Sequence, residues 1–113
     1  MKNKIINTLL NIGIPADVKG FSYIVDYILL LEDKEWKNCK VTTLYYKIAK
    51  DNQVKDKTVE RCIRYAFSWF LKNGNQNIIQ QYFPGAKKTN GNMLKILHYM
   101  IFLDDNAEKN KGE

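Results

Sequence analysis

Apolar residues between Val59 and Phe70 return at a helical interval. Val59, Ile63, Ala66, Phe67 and Phe70 occupy positions i, i+4, i+7, i+8 and i+11, one continuous stripe for burial. Lys57, Glu60, Arg61, Arg64 and Ser68 fall mainly on the other side. The pattern predicts an amphipathic helix over about Lys57–Lys72, with Asp56 as its N-cap. A second apolar stripe, Leu44 and Ile48 with Tyr45, predicts a shorter helix over Val41–Asp51. Only the polar stretch Asn52–Lys55 separates the two, so the segment 41–72 has the layout of a helix-turn-helix.

The same period runs through the rest of the chain, and no convincing two-residue alternation interrupts it. Helices are expected at Lys2–Ile12 (burying Ile5, Ile6, Leu9 and Leu10), Phe21–Lys34, Gln76–Phe83 and Asn90–Leu103. Gly13 and Pro15 close the first, and Asn73-Gly74-Asn75 the fourth, with Gly74 expected in a left-handed cap. The fold class is therefore all-α, about six helices with a central helix-turn-helix at 41–72. With 113 residues the chain fits one domain, 1–104, followed by a charged tail at 105–113 expected to be disordered.

Charge sharpens the picture. Residues 34–64 hold nine Lys or Arg against four Asp or Glu, so +5 of the chain's net +6 sits on and just before the helix-turn-helix. That concentration favours a nucleic-acid partner over a membrane surface. The N-terminal lysines precede an apolar stretch broken by Asn7, Asn11 and Gly13, an amphipathic helix rather than a signal peptide. The longest apolar runs, Tyr27–Leu31 and Tyr99–Leu103, are too short to span a bilayer, and a cytoplasmic protein is expected. Cys39 and Cys62 stand alone and suit reduced, partly buried thiols. His98, the sole histidine, has no neighbouring ligand cluster and is expected to pack. No phosphate loop, nucleophile elbow or metal motif occurs, so neither catalysis nor a cofactor is expected.

Four segments carry a resemblance: IGIPADVKGFSYIVDYI, LYYKIAKDNQVKDKTVERCIRYAF, KNGN and KKTNGNML. In order and spacing they resemble the C-terminal DNA-binding effector domain of the stage-zero sporulation response regulator. The similarity covers roughly Ile5–Leu103. It implies a six-helix fold, binding of double-stranded DNA at a TGTCGAA-like box, and homodimers on tandem boxes with the last helix as contact surface. The family's base-reading patch is Arg-Val-Glu-Arg. By position Glu60 and Arg61 match its last two residues, and Thr58 stands where the family has the first arginine. Arginine can bind guanine O6 and N7 together, while threonine offers one hydrogen bond or a methyl contact to thymine, so an altered box preference is expected. Tyr65 stands where the family has histidine and is a candidate phosphate contact.

The residues support the same sites on their own chemistry. Arg61 lies near the start of an exposed helix, where recognition helices meet base edges. Glu60 can accept from cytosine N4, or pair with Arg64 at i, i+4 as a surface ion pair. Lys55, Lys57, Arg64, Lys87 and Lys88 are candidate phosphate contacts, each with an ordinary solvated lysine or arginine as the alternative. Thr89 and Asn90 match a Thr-Asn pair of the family, more naturally a helix cap than a DNA contact. The family's regulator carries an N-terminal receiver domain, for which there is no room before the first helix here; either a fragment or a stand-alone paralogue is expected, with the second favoured slightly. The alternative function is a protein-interaction module, or an antagonist of the full-length regulator, that binds another regulator or RNA polymerase with little DNA affinity.

Overall fold

A computed structural model describes the backbone of residues 1–85 and 87–111 and the side chains of 1–85 and 87–102. Among the described residues the elements are α1 (Lys2–Ile12), α2 (Lys19–Leu31), α3 (Val41–Asp51), α4 (Asp56–Asn73), α5 (Gln76–Tyr82) and α6 (Asn90–Lys111), with no strand. The all-α class and the helix-turn-helix at α3–α4 are those expected. Helix α6 continues past the expected boundary at Leu103; the side chains of the expected tail, 105–113, lie outside the described residues.

Helix α4 is the central rod. Its stripe Val59, Ile63, Ala66, Phe67 and Phe70 is buried throughout, as its spacing requires. α2 packs on it most extensively, and α3 and α6 close the remaining sides. Gly20 makes the α2–α4 contact so close. A β-carbon on Gly20 would lie 2.2 Å from the Cys62 carbonyl oxygen and 2.9 Å from the Ala66 β-carbon. Only a residue without a side chain lets the two backbones meet there. For this reason α2 begins at Lys19, earlier than the apolar pattern suggests, with Gly20 inside its first turn. It ends at Leu31 rather than Lys34 because Asp33 turns the chain, its Oδ1 accepting the Glu35 N–H at 2.8 Å.

Three further details differ from the sequence pattern. Leu10, expected in the buried stripe of α1, is 47 % exposed, and Ile12 and Ile14 fill the core instead. Gly74 is not left-handed: its φ is −76° and ψ 176°. Glycine is needed there because a β-carbon would meet the Phe70 carbonyl oxygen at 2.5 Å. His98 does more than pack. Its Nε2 lies 2.8 Å from Glu32 Oε2, linking α6 to the end of α2, and its ring rests against Phe102.

The helix-turn-helix turn is closed by backbone bonds. Gln53 adopts φ 57°, while the Val54 N–H donates to the Ala49 carbonyl at 2.9 Å and the Gln53 N–H to that of Lys50 at 3.3 Å. These two bonds end α3 in a Schellman motif. Asn52 Nδ2 donates to the Ile48 carbonyl at 2.8 Å and reaches Asp26 on α2 at 3.4 Å, tying the turn to the scaffold. Burial pushes the Asp26 carboxyl above its usual range, an effect the Asn52 bond opposes.

Two predictions follow from this packing. Gly20→Ala should lower the unfolding free energy by about 1–3 kcal/mol or more in urea denaturation, since the overlap is with backbone and cannot relax by a rotamer change. Burial against Tyr45 pushes the Tyr27 hydroxyl up to about 12 from an unfolded value of 10.0. The folded state therefore holds this proton where the unfolded chain has lost it, and stability should fall as pH climbs from 10 through 12. Tyr27→Phe should flatten that part of the stability–pH curve.

Candidate nucleic-acid interface

The first turns of α4 follow the short turn after α3, and their outer face is open to solvent. Lys57, Arg61, Arg64 and Tyr65 are exposed, and Thr58 and Glu60 are half-buried beside them. The N-cap is Lys55, not Asp56. The Lys55 carbonyl already accepts the Thr58 and Val59 N–H groups at 3.0 and 3.3 Å, so Asp56 is the first helical residue. Its Oδ1 accepts the Lys57 N–H at 2.9 Å, placing a carboxylate at the positive end of the helix dipole.

The two arginines of the face differ in their engagements. Arg64 Nη1 lies 2.8 Å from Glu60 Oε1, forming the i, i+4 ion pair. Arg61 has no hydrogen bond or ion pair among the described residues, so its guanidinium is uncommitted. Glu60 uses only Oε1 toward Arg64, and no bond to its Oε2 occurs among the described residues. An exposed pair of this kind contributes little to stability.

A residue not singled out from sequence for this purpose holds α4 against α6. Asn90 Nδ2 donates to the Glu60 backbone carbonyl at 3.0 Å across a half-buried contact, and its amide lies beside the hydroxyl of the buried Tyr45 of α3. Burial pushes the Tyr45 hydroxyl up, and the neighbouring Asn90 amide opposes the shift. Of the Thr-Asn pair, Thr89 is the cap: its Oγ1 accepts the Asn92 N–H at 3.3 Å. Asn90, the first helical residue, ties α6 to α4 instead. An asparagine directly after a capping threonine was the available signal, since the cap needs only one of them.

The remaining candidates are spread around the same region. Lys55 and Lys57 line an open groove of about 540 Å³ together with Tyr46 and Lys50. Tyr46 is 61 % exposed, and its position off the Leu44–Ile48 stripe was the sequence sign of that. Lys57 and Glu60 also border a smaller crevice with Thr42 and Tyr45. Lys87 is exposed just before α6, whereas the Lys88 ammonium donates to the Phe83 carbonyl and closes the α5–α6 connection.

A short helix, a tight turn and a longer helix with an open basic face define a helix-turn-helix DNA-binding domain. Residues 5–101 match the family described as sporulation initiation factor Spo0A C terminal, and the chain belongs to that family. The family consists of DNA-binding effector domains of transcription regulators of sporulation, not of enzymes. Among the described residues no helix is long and apolar enough to cross a membrane.

Asn90→Ala removes the tie from α6 to the Glu60 carbonyl, which keeps its intrahelical bond. It should lower stability by about 0.5–1.5 kcal/mol, measured by urea denaturation, and Asn90→Asp, whose carboxylate cannot donate, should not restore it.

Proposed function

We propose that this domain binds double-stranded DNA sequence-specifically, with α4 in the major groove over a TGTCGAA-like box. The observation that carries the reading is the state of Arg61, exposed near the start of α4 and engaged by no other side chain among the described residues. It can therefore place its two donors on guanine O6 and N7 without first breaking a bond. Glu60 reads beside it: while Oε1 holds Arg64, Oε2 remains to accept from cytosine N4. The ion pair and the base contact, alternatives in the sequence, are thus compatible.

Thr58 completes the reading edge with a short, half-buried side chain. It lacks the reach and the paired donors of the arginine that the family has there, so the box position it faces is read less strictly or favours thymine. Lys55, Lys57, Arg64, Tyr65 and Lys87 hold phosphates on either side of the groove. Lys88 adds a fixed positive charge while anchoring its own loop. Pairing on tandem boxes through α6 rests on resemblance to the family, and a cytoplasmic location suits a DNA-binding regulator.

Fluorescence anisotropy with duplexes carrying or lacking the box, across a salt series, tests the reading. Box-containing DNA should bind more tightly, with a log–log salt slope of about −0.9 per phosphate contacted. Arg61→Ala should remove about 1–3 kcal/mol of discrimination. Lys87→Ala should weaken both duplexes alike and reduce the slope by about one. Equal, very weak binding to both duplexes by a folded protein would favour an interaction module instead.

A further inference from the structure

Base reading by α4 leaves the outer face of α3 unused. Thr42, Tyr46 and Lys50 stand a turn apart along that face, and all three are exposed. Tyr46 is 61 % exposed, although Leu44, Tyr45, Ile48 and Ala49 of the same helix are buried.

Tyr46 and Lys50 form one wall of the open groove of about 540 Å³, and Lys55, Asp56 and Lys57 form the other. Buried Ala49 and half-buried Val54 lie between the walls. Lys57 and Thr42 also border the smaller crevice that contains Glu60. The groove therefore runs into the face that carries the base readers.

Three lysines against one aspartate give the groove a net charge of +2. The ammonium groups of Lys50, Lys55 and Lys57 have no partner among the described residues. Lys47, on α3 but outside the groove, is held by Asp51 at 3.0 Å and stands over the Trp36 ring. Asp56 is turned onto the backbone, its Oδ1 accepting the Lys57 N–H at 2.9 Å. The cations of the groove are thus free for an external anion.

A solvated lysine or a single exposed tyrosine is ordinary on a protein surface. Place in the fold sets these apart. In a helix-turn-helix the first helix crosses the sugar-phosphate backbone while the second enters the groove. The chain belongs to a family of DNA-binding domains, and α3 is that first helix.

We propose that this groove seats one sugar-phosphate strand of the bound DNA, with the Tyr46 ring against a deoxyribose and Lys50 and Lys55 on the phosphates beside it. A strand offers an apolar sugar between two anions, and the groove offers an aromatic ring and an apolar floor between cations. The placement rests on α4 lying in the major groove, since a duplex so entered carries a strand past α3. An acidic peptide would satisfy the lysines but nothing brings one there. Tyr46 and Lys50 then contribute affinity and register, and none of the discrimination between boxes.

Anisotropy with box and control duplexes over a salt series separates this role from base reading. Lys50→Gln should weaken both duplexes alike and lower the log–log salt slope by about one. Tyr46→Ala should weaken both by about fivefold at an unchanged slope, while Tyr46→Phe keeps most of the affinity. Lys47→Gln, outside the groove, should leave the slope as it is. Single methylphosphonates scanned along the box duplex should include one that weakens the parent chain and not Lys50→Gln. All four side chains changed lie at the surface, and thermal unfolding of each variant should match the parent. The proposal is overturned if Lys50→Gln and Tyr46→Ala bind both duplexes as the parent does, or if Lys47→Gln lowers the slope equally. It is also overturned if either groove variant loses affinity for the box duplex alone. A glutamate-rich peptide that shifts the ¹⁵N amides of Tyr46 and Lys50 where the duplexes do not would overturn it too. If the parent binds both duplexes equally while both variants weaken both, base reading fails and the strand seat stands. Failure of the folded parent to bind either duplex overturns both.

Discussion

The close approach of α2 and α4 at Gly20 is the constraint on which the rest of the structure depends. With a carbonyl oxygen 2.2 Å from where a β-carbon would stand, α2 and α4 touch backbone to backbone. That contact fixes the rotation of α4 about its own axis. Once Val59, Ile63, Ala66, Phe67 and Phe70 face inward, Lys57, Arg61 and Arg64 have no direction left but outward. The basic face is thus a consequence of core packing, and its charges need no internal partner to hold it in place. The Schellman turn at Gln53 and the Asn52 link to Asp26 then set where the helix begins.

Electrostatics divides the work on that face. Arg64 is held by Glu60, so its position is defined but part of its charge is offset. Arg61 retains its full charge and its full set of donors. A reader of bases benefits from the second condition, and a contact to the uniform phosphate backbone tolerates the first. Lys88 shows a third arrangement, in which a cation closes a loop and still contributes its field.

Much of this was legible in the sequence, for definite reasons. The stripe of α4 is long and strictly periodic, and every residue expected in it is buried. Short or irregular features were less legible. Leu10 fits the stripe of α1 by spacing, but the left-handed turn at Gly13 brings Ile14 back into the core and leaves Leu10 outside. Gly74 suggested a left-handed cap, because sequence cannot separate a glycine needed for φ from one needed for room. The Glu32–His98 bond joins residues 66 positions apart and has no local signal. The bond of Asn90 was hidden for the same reason, since it depends on how α4 and α6 meet. The candidate base readers were placed by family resemblance and helix position together. The uncommitted state of Arg61 emerged only from the structure.

Asn90 grips α4 by its main chain, at the carbonyl of residue 60, and not by any side chain on the reading edge. The register between α4 and α6 is therefore indifferent to which amino acids occupy positions 58, 60 and 61. A lineage can exchange those residues one at a time without disturbing the frame that presents them. Threonine at position 58, in place of the arginine that the family resemblance implies there, is the kind of change such a frame permits. Separating the grip from the candidate reading edge lets those side chains change while the packing of α6 on α4 stays the same.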